Sequence, residues 1–320
     1  MSEVMTIGEI LVEVMAKNVG QTFEKTGEFI GPFPSGAPAI FIDQVAKTGS
    51  SCAIVSKVGN DGFGQMNINR LKQDGVNVQY IESIKDRTTG IAFVTYKDNR
   101  DRDFIFTMKD SAVACISQDD VREEMFEGCK FLHIMGCSAF DEKMILIFRK
   151  AISIAKTKNI KISFDPNIRK EIMNDRKIKD FIFFTLENCD VFLPGEEELK
   201  WITGIEDEEK AAHSVLNQNV RCVVVKRGNR GCRVYEQHSY FDVDPYPVNE
   251  IDPTGAGDCF AGTFISLLNQ GKSILEAVKY ANASGAYAVL KKGPMEGTAK
   301  LEELEEFIKA KDKEAKPTYC

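Results

Sequence analysis

Short apolar runs rich in β-branched residues recur at positions 5–15, 52–58, 91–96, 131–135, 160–164, 191–193 and 222–225, and each predicts a strand. Between several of them, apolar residues return at three- and four-residue spacing, as in Ala39, Ile40, Ile42, Val45, Ala46 and in Met144, Ile145, Phe148, Ile152, Ile154, Ala155. That spacing predicts helices with one buried stripe. Strands alternating with helices imply a largely parallel sheet covered on both faces, because a parallel strand needs a crossover to return. Two stretches, 9–31 and 88–108, break the rhythm. They alternate apolar with polar residues, as in Arg102-Asp103-Phe104-Ile105-Phe106, with no helix between strands. They predict a small antiparallel β flap, one side facing solvent, interrupting the α/β core.

No Pro/Ser-rich linker, internal repeat or low-complexity stretch divides the chain, so a single α/β domain over 1–320 is expected, its lid contributed discontinuously by about 9–31 and 88–108. The charged segment 309–316 is expected to fray. At 43% hydrophobic and 28% charged residues over 320 positions, the chain can bury a sizeable core. The charge balance of −7, with neither sign in a long block, argues against a nucleic-acid surface. No run approaches the roughly 18 apolar residues of a membrane span, and Met1-Ser2-Glu3 lacks the basic start of a signal peptide. No membrane partner and a cytoplasmic location are expected.

The nine cysteines are odd in number, scattered and without a C-x-x-C pair, so they read as reduced thiols. His133, His213 and His238 have no ligand spacing, and His133 sits in the apolar run 131–135, as a hydrogen-bonded core histidine does. Any metal is expected to arrive with the substrate.

The most informative segment is Ile251-Asp252-Pro253-Thr254-Gly255-Ala256-Gly257-Asp258. Phe260, Phe264, Leu267 and Leu268 follow at helical spacing up to Gly271, so a glycine-rich turn opens a helix. Such a turn offers unpaired N–H groups at the positive end of the helix dipole, where a phosphate binds. A carboxylate there repels phosphate, so Asp258 is expected to act as a general base on an attacking hydroxyl. Aspartate is also a common first-turn helix residue and a lone G-x-G is weak evidence, so a structural role stays open. Phe260 stands where a dinucleotide fold needs its third glycine, and Ser266 where a P-loop before Gly271-Lys272-Ser273 needs its first. A β-branched side chain at Gly257 is expected to fill the phosphate's space and to resist a positive φ there.

The run from Asp252 to Asp258, followed by Phe260-Ala261-Gly262, resembles the C-terminal signature of the ribokinase-like (PfkB) carbohydrate kinases. Further segments match in order. They are Gly8-Glu9, Ser35-Gly36-Ala37-Pro38-Ala39, Val58-Gly59-Asn60-Asp61-Gly62-Phe63-Gly64, Phe164-Asp165-Pro166-Asn167-Ile168-Arg169, and Asn282-Ala283 with Lys292-Gly293. The resemblance implies a three-layer α/β/α ribokinase-like fold, mainly parallel at its centre, with a small β-sheet lid over a sugar. It implies transfer of the γ-phosphoryl group of ATP to a sugar hydroxyl, with Mg2+ and, in some members, a monovalent cation such as K+. Asp258 is then the base, and Gly255, Ala256 and Gly257 form the anion hole. Thr254, Lys226, Gly228, Gly231 and Asn282 fall to the nucleotide. Glu13, Gly36, Ala37, Ile40, Lys109, Asp165, Asn167 and Arg169 fall to the sugar. Pairing of two copies through the lid belongs to the same expectation. On their own residues, the 226–231 turn also reads as a hairpin before Cys232-Arg233-Val234-Tyr235, and Asn282 as a helix-surface residue.

Four departures from the family pattern bear on the metal and the substrate. Gly195 replaces the asparagine of the family's N-x-x-E motif, leaving Glu198 to organise Mg2+ through water or simply to start a helix. Ile40 replaces a sugar-contacting asparagine, and Glu13 replaces an early aspartate. Lys109 stands where 2-keto-3-deoxygluconate kinases carry an arginine, and lysine cannot bind a carboxylate bidentately. The expectation is therefore a neutral ketohexose, tagatose or fructose, and the 31–44 segment most resembles tagatose kinases. A 2-keto-3-deoxygluconate kinase and a non-catalytic sugar- or nucleotide-sensing protein remain the alternatives.

Overall fold

A computed structural model of the chain describes residues 1–97, 102–168, 175–216 and 220–315. The strands are β1 (Val4–Ile7), β2 (Leu11–Ala16), β3 (Phe29–Ser35), β4 (Cys52–Gly59), β5 (Ile81–Ile84), β6 (Gly90–Tyr96) and β7 (Arg102–Phe106). They continue with β8 (Phe131–Met135), β9 (Lys161–Asp165), β10 (Val191–Phe192), β11 (Cys222–Lys226), β12 (Cys232–Glu236) and β13 (Ser239–Val243). The large sheet runs β13-β12-β11-β10-β9-β8-β1-β4-β5. It is parallel from β11 to β5, and the β12 and β13 hairpin extends it antiparallel, as the glycine turn at 228–231 suggested.

The helices are α1 (Ala37–Lys47), α2 (Gly62–Gln73), α3 (Glu142–Thr157), α4 (Arg176–Asn188), α5 (Glu196–Thr203), α6 (Glu208–Leu216), α7 (Ala256–Asn269), α8 (Ile274–Ala288) and α9 (Leu301–Ala315). Two apolar layers separate them from the sheet. Val223 and Val225 of β11 pack with α3 to α6, while Val224 between them packs with α1, α7 and α8. A strand buried on both faces reads as a continuous apolar run, which is why 222–225 showed no alternation. Helix α3 shows how such an element is specified. Asp141 accepts from Met144 N at 2.8 Å at its start, and Phe148, Ala151, Ile152 and Ala155 are at most 1% exposed on its inner face. Each large side chain buried this way contributes about 1.5–3 kcal/mol.

Residues 5–15 do not form the single strand expected. Gly8, at φ 152°, breaks the run, sending β1 into the large sheet and β2 into the lid. The lid is a four-stranded sheet ordered β3-β2-β6-β7 from the two expected stretches, with β3 running on to Ser35. It is not wholly antiparallel, because β2 pairs parallel with β6 after the chain has passed through α1, β4, α2 and β5. The 58–64 signature is the joint between the layers. Asp61 caps α2 by accepting from Gly64 N at 2.8 Å, and takes Thr89 N at 2.7 Å and Thr89 Oγ1 at 2.8 Å just before β6.

All eight cysteines among the described residues are free, and Cys320 lies outside them. No described helix is long and apolar enough to cross a membrane.

Candidate functional site

Open parallel sheets place ligands beyond the carboxyl ends of their strands. Here Glu9 follows β1, Asp165 ends β9 and Lys226 ends β11. The pairing of β9, β10 and β11 sets the backbones of Asp165 and Lys226, so these two side chains converge without loop ordering. Lys226 Nζ meets Asp165 Oδ2 at 2.5 Å across the end of β10. Burial pushes the Asp165 carboxyl up to about 6, with Lys226 pulling it down and Glu198 pushing it up. Burial opposes the charge on Lys226, yet Asp165, Glu198 and Asp258 together hold its pKa above the ordinary lysine value.

The glycine turn lies where Asp252 anchors it. Asp252 accepts from Thr254 N at 3.1 Å and Gly293 N at 3.0 Å, fixing both ends of the approach. Gly255 is the N-cap of α7 at φ 84°, and a Cβ there would stand 2.4 Å from Pro294 O. The positive φ thus belongs to Gly255. Gly257, expected to need one, is ordinary helix, and its missing side chain serves a different end. A Cβ there would point at Lys226 Nζ, 3.6 Å away, and would fill the space between them. The first turn leaves amides without intrahelical acceptors, although Ala256 N makes a long 3.4 Å contact to Pro253 O. Asp258, in that same turn, is 8% exposed and accepts from Asn167 Nδ2 at 3.3 Å.

Two cavities flank this centre. The first, about 660 Å³, lies between the lid and the strand ends. It is lined by Glu13, Gly36, Ala37, Ile40, Asp165, Asn167, Thr254, Gly255 and Asp258 among the expected residues. The second, about 860 Å³, lies beyond α7 and is lined by Gly228, Gly231, Ala256 and Asn282. Glu198, Lys226, Pro253 and Gly257 line both, so the cavities meet where the lysine, the glycine turn and α5 converge.

Several expectations need correcting at this level. Lys109 is exposed on the loop after β7 and lines neither cavity, because β7 ends at Phe106 and turns the chain outward. Arg169 lies outside the described residues. Thr254 lines the first cavity and not the second, which Gly228, Gly231 and Asn282, expected beside it, line instead. Gly231 does line the second cavity, but a Cβ there would lie 2.0 Å from Val243 O, so the β12 hairpin already requires glycine. Asn282 donates to Asp244 O at 2.6 Å, holding the 244–250 segment over the second cavity. Glu198 accepts from Ile168 N at 2.7 Å and Gly195 N at 2.6 Å. Each oxygen keeps a lone pair for water, which suits Mg2+ carried with its own waters and phosphates. No cluster of three or more metal-binding side chains occurs among the described residues.

Glu9, Lys97, Arg102, Phe104 and Phe106 also line the first cavity, although no motif gave them a place in the site. The alternation 102, 104, 106 marked one face of a strand, but nothing local said that this face looked inward. No motif marked the proline-rich 245–250 wall of the second cavity either. His133 is the core histidine expected. Its Nδ1 lies 2.9 Å from Ser163 Oγ, and burial, with Lys226 nearby, pushes its pKa down to about 3.

A family profile described as pfkB family carbohydrate kinase matches residues 1–301. Fructokinase-2 of Oryza sativa subsp. japonica is 29% identical over 95% of this chain and 93% of its own. An E. coli protein provisionally called ribokinase II, solved with ATP and Mg2+, is 47% identical with a TM-score of 0.93, covering 97% of this chain and 100% of that one. A Vibrio cholerae O395 fructokinase double mutant, solved with fructose, ADP and a potassium ion, is 27% identical with a TM-score of 0.84, covering 96% and 98%.

Proposed function

Because the chain belongs to the pfkB family of carbohydrate kinases and has its ribokinase-like fold, we propose that it transfers the γ-phosphoryl group of ATP to a hydroxyl of a ketohexose, fructose or tagatose. The observation that carries this reading is the shared wall. A nucleotide in the second cavity and a sugar in the first would meet only at Lys226, Gly257, Glu198 and Pro253, with Asp258 on the sugar side alone. Asp258 takes the proton of the attacking hydroxyl, and Asn167 fixes the orientation of its carboxylate. The first-turn amides of α7 and Lys226 receive the negative charge that develops on the phosphoryl oxygens. Mg2+ bound with ATP supplies further charge neutralisation, and Glu198 would hold it through water.

On the sugar side, buried Glu9 and Glu13 offer acceptors for hydroxyl groups, while Ile40 presents an apolar surface. Ser138 Oγ holds Glu9 Oε2 at 2.6 Å. ADP release measured over a panel of ketohexoses, ribose and 2-keto-3-deoxygluconate tests the reading. The ketohexoses are expected to lead, and Asp258→Asn is expected to lose roughly 10²–10⁴-fold in kcat while ATP still binds. Unchanged turnover in that variant removes Asp258 from the role, and a clear preference for the sugar acid reassigns the substrate. ATP binding without ADP release for any sugar favours a sensing protein. We also propose that a second copy covers the outer lid face, where Val14, Phe93 and Ile105 stand in one cross-strand row with Ile105 48% exposed. A monomer by sedimentation overturns that pairing.

A further inference from the structure

Arg102 opens β7 opposite Tyr96 and shares a lid face with Phe104 and Phe106, which line the first cavity with it. Its guanidinium carbon lies 5.5 Å from the Phe104 ring centroid, and Nη1 donates to Thr254 Oγ1 at 2.9 Å. That bond runs from the lid to the residue just before Gly255, at the anion turn. Three described cations line this cavity. Lys97 is paired with Asp103 at 2.8 Å and Lys226 with Asp165 at 2.5 Å. Arg102 has no carboxylate partner among the described residues, although Glu9, Glu13, Asp103 and Asp258 line the same cavity.

We propose that Arg102 is poised by Thr254 to meet the phosphoryl group as it crosses into the sugar cavity, so that the lid contributes charge stabilisation at the transfer point. The inference rests on the kinase reading above. During the step, a bond forms between the sugar oxygen and γ-phosphorus, the bond from that phosphorus to the β,γ-bridging oxygen breaks, and the hydroxyl proton passes to Asp258. Arg102 keeps all its protons throughout. What changes is the location of the anion. It leaves the second cavity and enters the first, whose wall already carries Glu9, Glu13 and Asp258. A guanidinium has five N–H donors in a planar fork, and one of them engaged by Thr254 leaves the others for two phosphoryl oxygens. An ammonium cannot reproduce that fork.

The test uses Arg102→Ala and Arg102→Lys in the full chain, with the best sugar from the panel. Arg102→Ala is expected to lose about 10²-fold in kcat, as when one oxyanion donor is removed. Affinity for the unphosphorylated sugar changes less than about threefold, and affinity for the phosphorylated product falls about tenfold. Added guanidinium chloride restores part of the lost kcat in Arg102→Ala but not in Asp258→Asn, because a free ion replaces a charge and cannot replace a tether between lid and turn. Arg102→Lys, the variant least able to disturb folding, loses about tenfold in kcat through the missing fork. A kcat within threefold of the parent in both variants overturns the proposal. So does a loss carried entirely by the KM for sugar, which makes Arg102 a sugar reader, or a loss that guanidinium does not relieve, which makes it a structural latch. A parent chain that releases no ADP with any sugar sinks the kinase reading and this inference together. A parent that turns over, matched by its Arg102 variants, sinks the inference alone.

Discussion

Replacing Lys226 with methionine separates what this residue does for the fold from what it does for phosphoryl transfer. The substitution keeps the stem and removes the Nζ that meets Asp165 Oδ2 at 2.5 Å, while the Asp165 side chain is 1% exposed. Breaking a buried pair from one side costs about 3–5 kcal/mol, because the remaining charge is left without compensation. Asp165 can escape that cost by taking up a proton. Burial already holds its carboxyl at about 6 against the pull of Lys226, so without the lysine it rises further. A carboxyl raised in the folded state keeps a proton that the unfolded chain releases. Its stability contribution is therefore full below the unfolded value near 4 and declines as pH rises towards the folded one, by about 1.4 kcal/mol per pH unit. In the parent this Asp165 contribution stops falling near pH 6, and in Lys226→Met it continues downward. Urea unfolding at pH 5 and pH 8 should thus show a small gap at the lower value and one approaching the full pair cost at the higher. In the double variant Lys226→Met with Asp165→Asn, the stability gap closes, while kcat stays down by about 10²-fold at both pH values because the charge at the shared wall is still missing. A gap independent of pH, or a double variant that regains turnover, refutes the reasoning.

Gly257→Val should fold and bind sugar by calorimetry but release no ADP, since its added carbons would occupy the 3.6 Å approach to Lys226 Nζ; normal turnover refutes this. Gly255→Ala should instead lower stability by about 1–3 kcal/mol, from the φ of 84° and the close Pro294 carbonyl, seen as a drop in Tm. Ile40→Asn adds a polar partner at a cavity wall that is 2% exposed, and steady-state kinetics should show a changed order of sugars instead of a uniform loss. Asp43 is fully buried, and burial together with Asp74 raises its carboxyl to about 7 despite Lys47 and Arg70, so the parent should lose stability as pH rises from about 4 to 7. Asp43→Asn should flatten that slope, and an unchanged slope places the titration elsewhere.

Much of the centre was legible in one stretch of chain. Asp252 to Asp258 carries the glycine turn, the helix start and the acid within seven consecutive residues, so local spacing announces them, while the anchoring by Asp252 and the left-handed φ at Gly255 emerged only in the fold. The same holds for strands whose apolar runs need no partner to be recognised, and for lid strands whose alternation declares one wet face. Tertiary structure decided what depends on pairing across distance. Asp165 and Lys226 each read as a strand-end residue, and only the β9-β10-β11 order makes them an ion pair. Alternation placed Arg102, Phe104 and Phe106 on one face, but the parallel pairing of β2 with β6 decided that this face looks onto the cavity and that Lys109, just beyond the strand, does not. Local patterns record how a segment meets an interior. Which interior, and beside which other segment, is set by crossovers of tens of residues, such as the one between the two halves of the lid, whose direction no short-range signal encodes.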